Sequence, residues 1–166
     1  MKKFKVGIQL YSIRDEMEKD MDATLKAVKE MGYDCVEFAG FFDKTAEEVK
    51  AMLDKYDLEA ISVHQGADPW LEKGQKAIDY LKEIGVKYCA IPWYDGEKLK
   101  DPAEFEKAMK IFTDFGKALK ENGIGLLYHN HDFEFTKVDG EYVYDKIFKA
   151  VPSDILRPEM DVCWIP

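Results

Sequence analysis

Four stretches of this chain share one pattern: a charged helix end, a residue suited to reversing the chain, then a β-rich apolar run. They read KEMGYDCVEF (29–38), DKYDLEAISVH (54–64), KEIGVKYCAI (82–91) and KENGIGLLYH (120–129). Gly32, Gly85 and Gly123 hold the middle position in three of them, and Asp57 holds it in the fourth. The residue just past a helix often takes the left-handed conformation, which glycine reaches without a Cβ clash. Each stretch therefore predicts a helix handing over to a strand.

The intervening segments carry helical periodicity. Leu25, Val28 and Met31 recur at spacings of three within 21–31. TAEEVKAMLDKY (45–56) opens with T-x-x-E, a capping box in which Thr45 caps the helix and Glu48 reaches back. In 101–123, Asp101 stands at the cap and Pro102 in the first turn. Phe105, Met109, Phe112, Phe115 and Leu119 then form one apolar stripe. Further helices are expected over 71–84 and 144–151. Strands are expected at 5–10, 34–38, 59–64, 87–92 and 124–130. A last short strand is expected near 159–163, because Pro158 argues against an earlier start. Runs this continuously apolar suit strands buried on both faces. Their alternation with helices implies a parallel α/β sheet with right-handed crossovers.

Two architectures accommodate this order, a doubly wound open sheet or part of a (β/α)8 barrel. A complete barrel typically takes about 250 residues, whereas this chain has 166. The sequence stops at MDVCWIP, straight after the last expected strand and without a covering helix. It therefore reads as a (β/α)8 TIM-barrel type fold truncated after about the sixth strand. On this reading 1–166 is a single incomplete domain, with β/α units one to five plus strand six. An open barrel exposes two strand edges and apolar surface, so homo-oligomerisation through those edges is expected.

Composition narrows the partners. A net charge of -9 argues against nucleic acid, whose phosphates need a cationic surface. The 46% hydrophobic and 34% charged content is that of a folded globular chain. Cys35, Cys89 and Cys163 all lie in apolar runs read as strands, which predicts buried thiols rather than disulfides or structural zinc. The basic start precedes an apolar run too short for a signal peptide, and no stretch approaches the roughly 20 apolar residues of a membrane span. A cytoplasmic location without membrane contact is the expectation.

In either architecture ligands bind beyond the C-terminal ends of the strands, and polar residues collect there. Gln9, Tyr11, Ser12 and Arg14 follow strand one, and Glu37 ends strand two. His64 and Gln65 end strand three, and Trp93 and Tyr94 follow strand four. Strand five delivers His129, Asn130, His131, Asp132 and Glu134, and strand six Glu159 and Asp161. Glu37 lies between Val36 and Phe38, where an unpaired carboxylate is costly, so it is a substrate contact or half of an ion pair with Arg14. His64 reads equally as a substrate contact or a satisfied core imidazole. Tyr11, Arg14 and Trp93 are candidate substrate contacts, with capping of the mouth or packing in its wall as their alternatives. His129 and His131 share a face at period two, roughly 6.5 Å apart along a strand. Two inward imidazoles suit a metal ligand plus a proton-transfer group, or a hydrogen-bonded polar layer. Glu134 has the opposite parity and joins them only if the chain bends near Asp132. Asp161 is a lone acid at a strand end, where a cation would offset its burial.

The stretches VGIQLYSIRDEM, GYDCVEFAGFF, YHNHDFEF and RPEMDVCW together resemble the sugar phosphate isomerase/epimerase family of xylose isomerase-like TIM barrels. The resemblance spans essentially the whole chain, in order. It implies a divalent metal, manganese first, with zinc, magnesium or cobalt as the other candidates. It also implies a small-molecule carbohydrate substrate: a sugar, keto-sugar or cyclitol. The family's strand-six aspartate matches Asp161, and Glu134 stands in for its strand-five glutamate, with His131 and His129 nearby as catalytic groups. The strand-five ligand is thus left open among His129, His131 and Glu134. Ligands from strands seven and eight of the family would lie past Pro166, so metal binding and activity are expected to be impaired. The implied chemistry is proton abstraction beside a carbonyl through an enediolate, as in an isomerase or epimerase. A lyase or dehydratase acting on a 3-keto-glycoside or inosose shares that step, and a non-catalytic sugar-binding barrel is the alternative.

Overall fold

The computed structural model describes residues 4–165. The basic start at 1–3 and Pro166 lie outside the described residues. The chain opens with β1 (Gly7–Gln9), a 3-10 turn at Leu10–Ile13, α1 (Arg14–Lys19) and α2 (Met21–Glu30). It continues through β2 (Cys35–Phe38), α3 (Ala46–Tyr56), β3 (Glu59–His64), α4 (Asp68–Lys73), α5 (Gln75–Glu83) and β4 (Tyr88–Ile91). Then come α6 (Gly96–Lys100), α7 (Pro102–Glu121), β5 (Gly125–His129) and a 3-10 turn at Phe133–Phe135. A hairpin, β6 (Lys137–Val138) and β7 (Glu141–Tyr142), leads to α8 (Val143–Ala150) and β8 (Leu156–Glu159). The main sheet runs β1-β2-β3-β4-β5-β8, all pairs parallel. This is the architecture expected of the barrel type.

The local signals explain the elements. Gly32, Gly85 and Gly123 have φ of +93°, +82° and +79°, and Asp57 adopts the same hand at +51°. Lys29 steadies Asp57 by donating to its carbonyl at 2.6 Å. The α3 capping box forms as written: the Thr45 N–H donates to Glu48 Oε2 at 2.8 Å and the Glu48 N–H to Thr45 Oγ1 at 3.2 Å. In α7 the Asp101 carboxylate takes the N–H groups of Ala103 and Glu104 at 3.0 and 2.9 Å. The stripe from Met109 to Leu119 is buried, with Phe105 packed against it.

Several expectations are corrected. The helix over 71–84 is two helices, broken where Gly74 takes φ +57°, ψ −132°. The last strand spans Leu156–Glu159 rather than 159–163, with Pro158 opposite Tyr128. Among the described residues β8 pairs with β5 alone, and an edge strand tolerates a missing N–H. Cys35 and Cys89 are buried thiols, but Cys163 is exposed because the chain has already left the sheet there. No helix of the described residues is long and apolar enough to cross a membrane.

One irregularity sets the inner face of the sheet. Val36 pairs with Ala60, but Glu37 pairs with Ser62, so Ile61 is an extra residue in β3. Such a bulge inverts the side-chain alternation beyond it. Val63 therefore joins the helix-facing core with Val36 and Phe38, and Ser62 and His64 turn inward beside Glu37. The sheet is also strongly curled. In a flat sheet β3 and β8, three steps apart, would stand roughly 14 Å from each other. Instead His64 Nε2 lies 2.6 Å from Glu159 Oε1. Only a sheet bent towards its own inner face brings those two strands into contact.

Candidate functional site

The curl gathers side chains from β1, β2, β3, β5 and β8 at the C-terminal ends of the strands. Gln9 donates to Glu37 Oε1 at 2.9 Å and lies 3.2 Å from the His64 ring nitrogens. Glu37 also accepts the Ser62 hydroxyl and sits 3.1 Å from His64 Nε2. Glu159 bridges the two imidazoles, 2.6 Å from His64 Nε2 and 3.1 Å from His129 Nδ1. On the other side of that ring, Asp161 Oδ2 is 3.6 Å from His129 Nε2, an ion-pair separation too long for a hydrogen bond.

Electrostatics follow from this crowding. Burial alone would lower the His64 pKa, but its bonds to Glu159 and Glu37 outweigh that and raise it. Burial alone would raise the Glu159 pKa, and the bonds from His129 and His64 pull it down instead. His131 goes the other way, its pKa lowered by burial and by neighbouring His129, which favours the neutral ring.

His64, His129 and Glu159 each offer a ligand atom, all within 4.8 Å of one another. Donors bound about 2.1 Å from one ion lie roughly 3 Å apart, which matches the bridging distances. Two imidazoles and a carboxylate suit manganese, zinc or cobalt, and magnesium less well. The donor set therefore fits a divalent metal. Glu134, the ligand expected from sequence, is elsewhere. The 3-10 turn at Phe133–Phe135 carries it behind the strand, fully buried. There it accepts the Tyr128 hydroxyl at 2.8 Å and the His131 N–H at 2.7 Å. Glu159, rather than Glu134, is the carboxylate beside His64 and His129. Its sequence signal was parity: it precedes Asp161 by two and falls opposite His129 in the ladder.

A cleft of about 700 Å³ opens over this cluster, lined among others by Tyr11, Trp93, His129, His131, Asp161 and Trp164. Trp93 and Tyr11 are more than half exposed, at 59% and 56%, and present free aromatic surface to it. The His131 ring is stacked on Phe133 at 5.7 Å, with Trp164 at 5.7 Å and His129 at 5.1 Å. Its Nδ1 is buried without a hydrogen-bond partner among the described residues. Arg14 does not join the cleft or pair with Glu37. It lies over the Tyr11 ring at 4.4 Å and donates to the Tyr11 carbonyl at 3.0 Å. Sequence reasoning set Gln9 at the mouth without a specific role and did not single out Ser62 or Trp164, which belong to this region.

Fold and site together define a β/α-barrel protein with its polar groups gathered at the C-terminal mouth, where barrels of this kind carry their ligands. The chain belongs to the xylose isomerase-like TIM barrel family, whose sequence profile matches residues 25–165. It is similar to an inosose dehydratase of Mesomycoplasma hyopneumoniae (strain 7448), 28% identical over 79% of this chain and 52% of that protein. It thus spans about half the length of that relative. A sugar phosphate isomerase/epimerase from Parabacteroides distasonis superposes with a TM-score of 0.80 at 25% identity, covering 96% of this chain and 66% of that one. A xylose isomerase-like TIM barrel protein from Mycobacterium smegmatis, in complex with magnesium, shares the fold at 17% identity and a TM-score of 0.67, over 93% and 63% of the two chains.

Proposed function

We propose that this chain carries the metal and proton-transfer groups of a divalent-metal-dependent isomerase or epimerase. Its substrate would be a sugar, keto-sugar or cyclitol, altered at the carbon beside a carbonyl. The observation that carries the reading is the convergence of His64, His129 and Glu159, with both histidines and His131 lining one aromatic-walled cleft. A divalent ion held by those three ligands would act as a Lewis acid on the substrate oxygens. Manganese is the first candidate, and the magnesium-bound relative keeps magnesium in view.

The chain's own residues then have distinct tasks. His131 faces the cleft, its burial favouring the neutral ring, and takes the proton from the substrate carbon and returns it. Trp93 and Trp164 offer flat apolar surfaces to the C–H face of a sugar ring. Asp161 faces the far nitrogen of His129, the arrangement that orients a ligating imidazole. Gln9 reaches the far nitrogen of His64, Nδ1, at 3.2 Å, while Glu37 sits beside Nε2, the nitrogen that faces Glu159.

A dehydratase reading is favoured by one observation, the similarity to inosose dehydratase. Both readings begin with the same proton removal, so one experiment addresses them. The manganese-loaded chain is incubated in D2O with a panel of ketohexoses, 3-keto-glucosides and inososes. Deuterium is expected at the carbon next to the carbonyl. Epimeric products then indicate an epimerase, and loss of water a dehydratase. No incorporation into any member, with manganese, cobalt or magnesium at saturation, would sink the catalytic proposal.

A further inference from the structure

The motif YHNHDFEF divides into two layers. His129 and His131 face the cleft, while Tyr128, Asn130 and Glu134 are fully buried behind it. Asn130 makes an unusual pair of contacts. Its Nδ2–H donates to the Asp161 carbonyl at 3.0 Å, and its Oδ1 accepts the Asp161 N–H at 3.0 Å.

The ladder between β5 and β8 ends at the pair His129 and Glu159. Beyond it the two chains part, one towards the turn at Phe133–Phe135 and the other into the turn after Met160. A side-chain amide carries the same donor and acceptor as a peptide group. Asn130 thus supplies one more rung after the backbone rungs stop, and it grips both polar groups of a single residue. Asp161, fixed at its peptide, has one carboxylate oxygen on the Cys163 N–H at 2.8 Å and the other 3.6 Å from His129 Nε2.

We infer that Asn130 is a positioning residue: its buried amide locks the peptide of Asp161, and through it the carboxylate that faces His129. The inference rests on the proposal that His129 serves the metal site. It also explains the residue type. Aspartate has no donor for the Asp161 carbonyl, glutamine adds a methylene where there is no exposed space, and leucine leaves both peptide groups without partners.

The test uses the full chain with Mn2+ alone as probe. Asn130→Ala and Asn130→Leu are compared with wild type by Mn2+ titration and by 15N resonances of the His129 imidazole recorded without metal. Expected are a fall in Mn2+ affinity of about 10- to 100-fold, typical for residues behind a ligand, and displaced His129 resonances. In wild type, a scalar coupling across the hydrogen bond from the Asp161 amide to the Asn130 Cγ is expected. Folded variants with wild-type affinity and unmoved His129 resonances would overturn the inference, as would absence of the coupling. If neither variant folds, Asp161→Ala must move the same His129 resonances, and unchanged resonances overturn it. A wild-type chain that binds no Mn2+ removes the metal reading alone, because the coupling and the resonances are read in its absence.

Discussion

Glu134 and Glu159 can be separated by a matched pair of substitutions, Glu134→Gln and Glu159→Gln. Glu134 is buried and takes two hydrogen bonds, from the Tyr128 hydroxyl and the His131 N–H. Glutamine keeps the shape and can still accept from His131 while donating to the Tyr128 oxygen, but the Tyr128 O–H and the second amide N–H then lack an acceptor. The charge on the acceptor is lost as well. Bonds to a charged group contribute about 1.5–3 kcal/mol against about 0.5–1.5 for neutral pairs, a difference of roughly 1 kcal/mol each. Two such bonds give a destabilisation of about 2 kcal/mol, to which the unpaired donors add. For a chain of this size that lowers Tm by roughly 4–8 °C. The Mn2+ affinity of Glu134→Gln should stay within about twofold of wild type, because its carboxylate faces away from the cleft. Glu159→Gln replaces the bridging carboxylate with a poor ligand and should weaken Mn2+ by about tenfold or more. Urea unfolding and isothermal titration on both variants give the four numbers. The reasoning fails if Glu134→Gln weakens Mn2+ as much as Glu159→Gln while its stability is unchanged.

Three shorter tests follow. His131→Asn should remove solvent-deuterium exchange into the substrate while leaving Mn2+ affinity within about twofold, since His131 is not among the three ligands; equal loss of both would merge the two roles. Thr45→Ala should cost about 1 kcal/mol in urea unfolding through loss of the α3 cap. The Thr45 N–H and hydroxyl hold the Glu48 carboxyl below its ordinary pKa, so this contribution is present above the ordinary carboxylate range and fades as pH falls through the depressed value; the variant should therefore lose less stability on acidification than wild type. Finally, Phe4, Val6, Met160 and Val162 are exposed beside β1 and β8, each of which pairs on one side only among the described residues. This 166-residue chain is expected to sediment as a dimer or larger, and a clean monomer that binds no apolar dye would refute that.

What the sequence disclosed was chiefly local chemistry. The Thr45 box, the Asp101–Pro102 start of α7 and the reversals at Gly32, Asp57, Gly85 and Gly123 need only neighbours along the chain, and they locate most strands within a residue or two. The hairpin at Asp139–Gly140, both residues at positive φ, also carried its signal as an Asp-Gly pair that went unread. Failures arose where position depends on a second strand. Pro158 excludes a central strand but not an edge, and which strand is an edge is a property of the sheet. Glu134 and Glu159 are both acids near a strand end, and only the turn after Asp132 and the β5–β8 register send one behind the wall and the other to His64. The cluster of site residues was legible as a region, and its division into ligands, props and walls was not.

The bulge at Ile61 gives β3 one residue of slack in length. β3 is one residue longer than its neighbour requires, and the bulge absorbs the surplus so that Ser62 and Val63 still face Glu37 and Phe38 across the ladder. Loss of the Ile61 codon would join Ala60 directly to Ser62 and leave regular alternation against Val36 and Glu37, with Ser62 and His64 still inward and Val63 still among the helices. The apolar character of β3 would survive such a deletion nearly unaltered, and a comparison scored on composition would overlook it. In related chains, then, the length of this strand deserves reading before its letters. A one-residue gap there marks a regular strand in place of a bulged one, and both can present a histidine at this position.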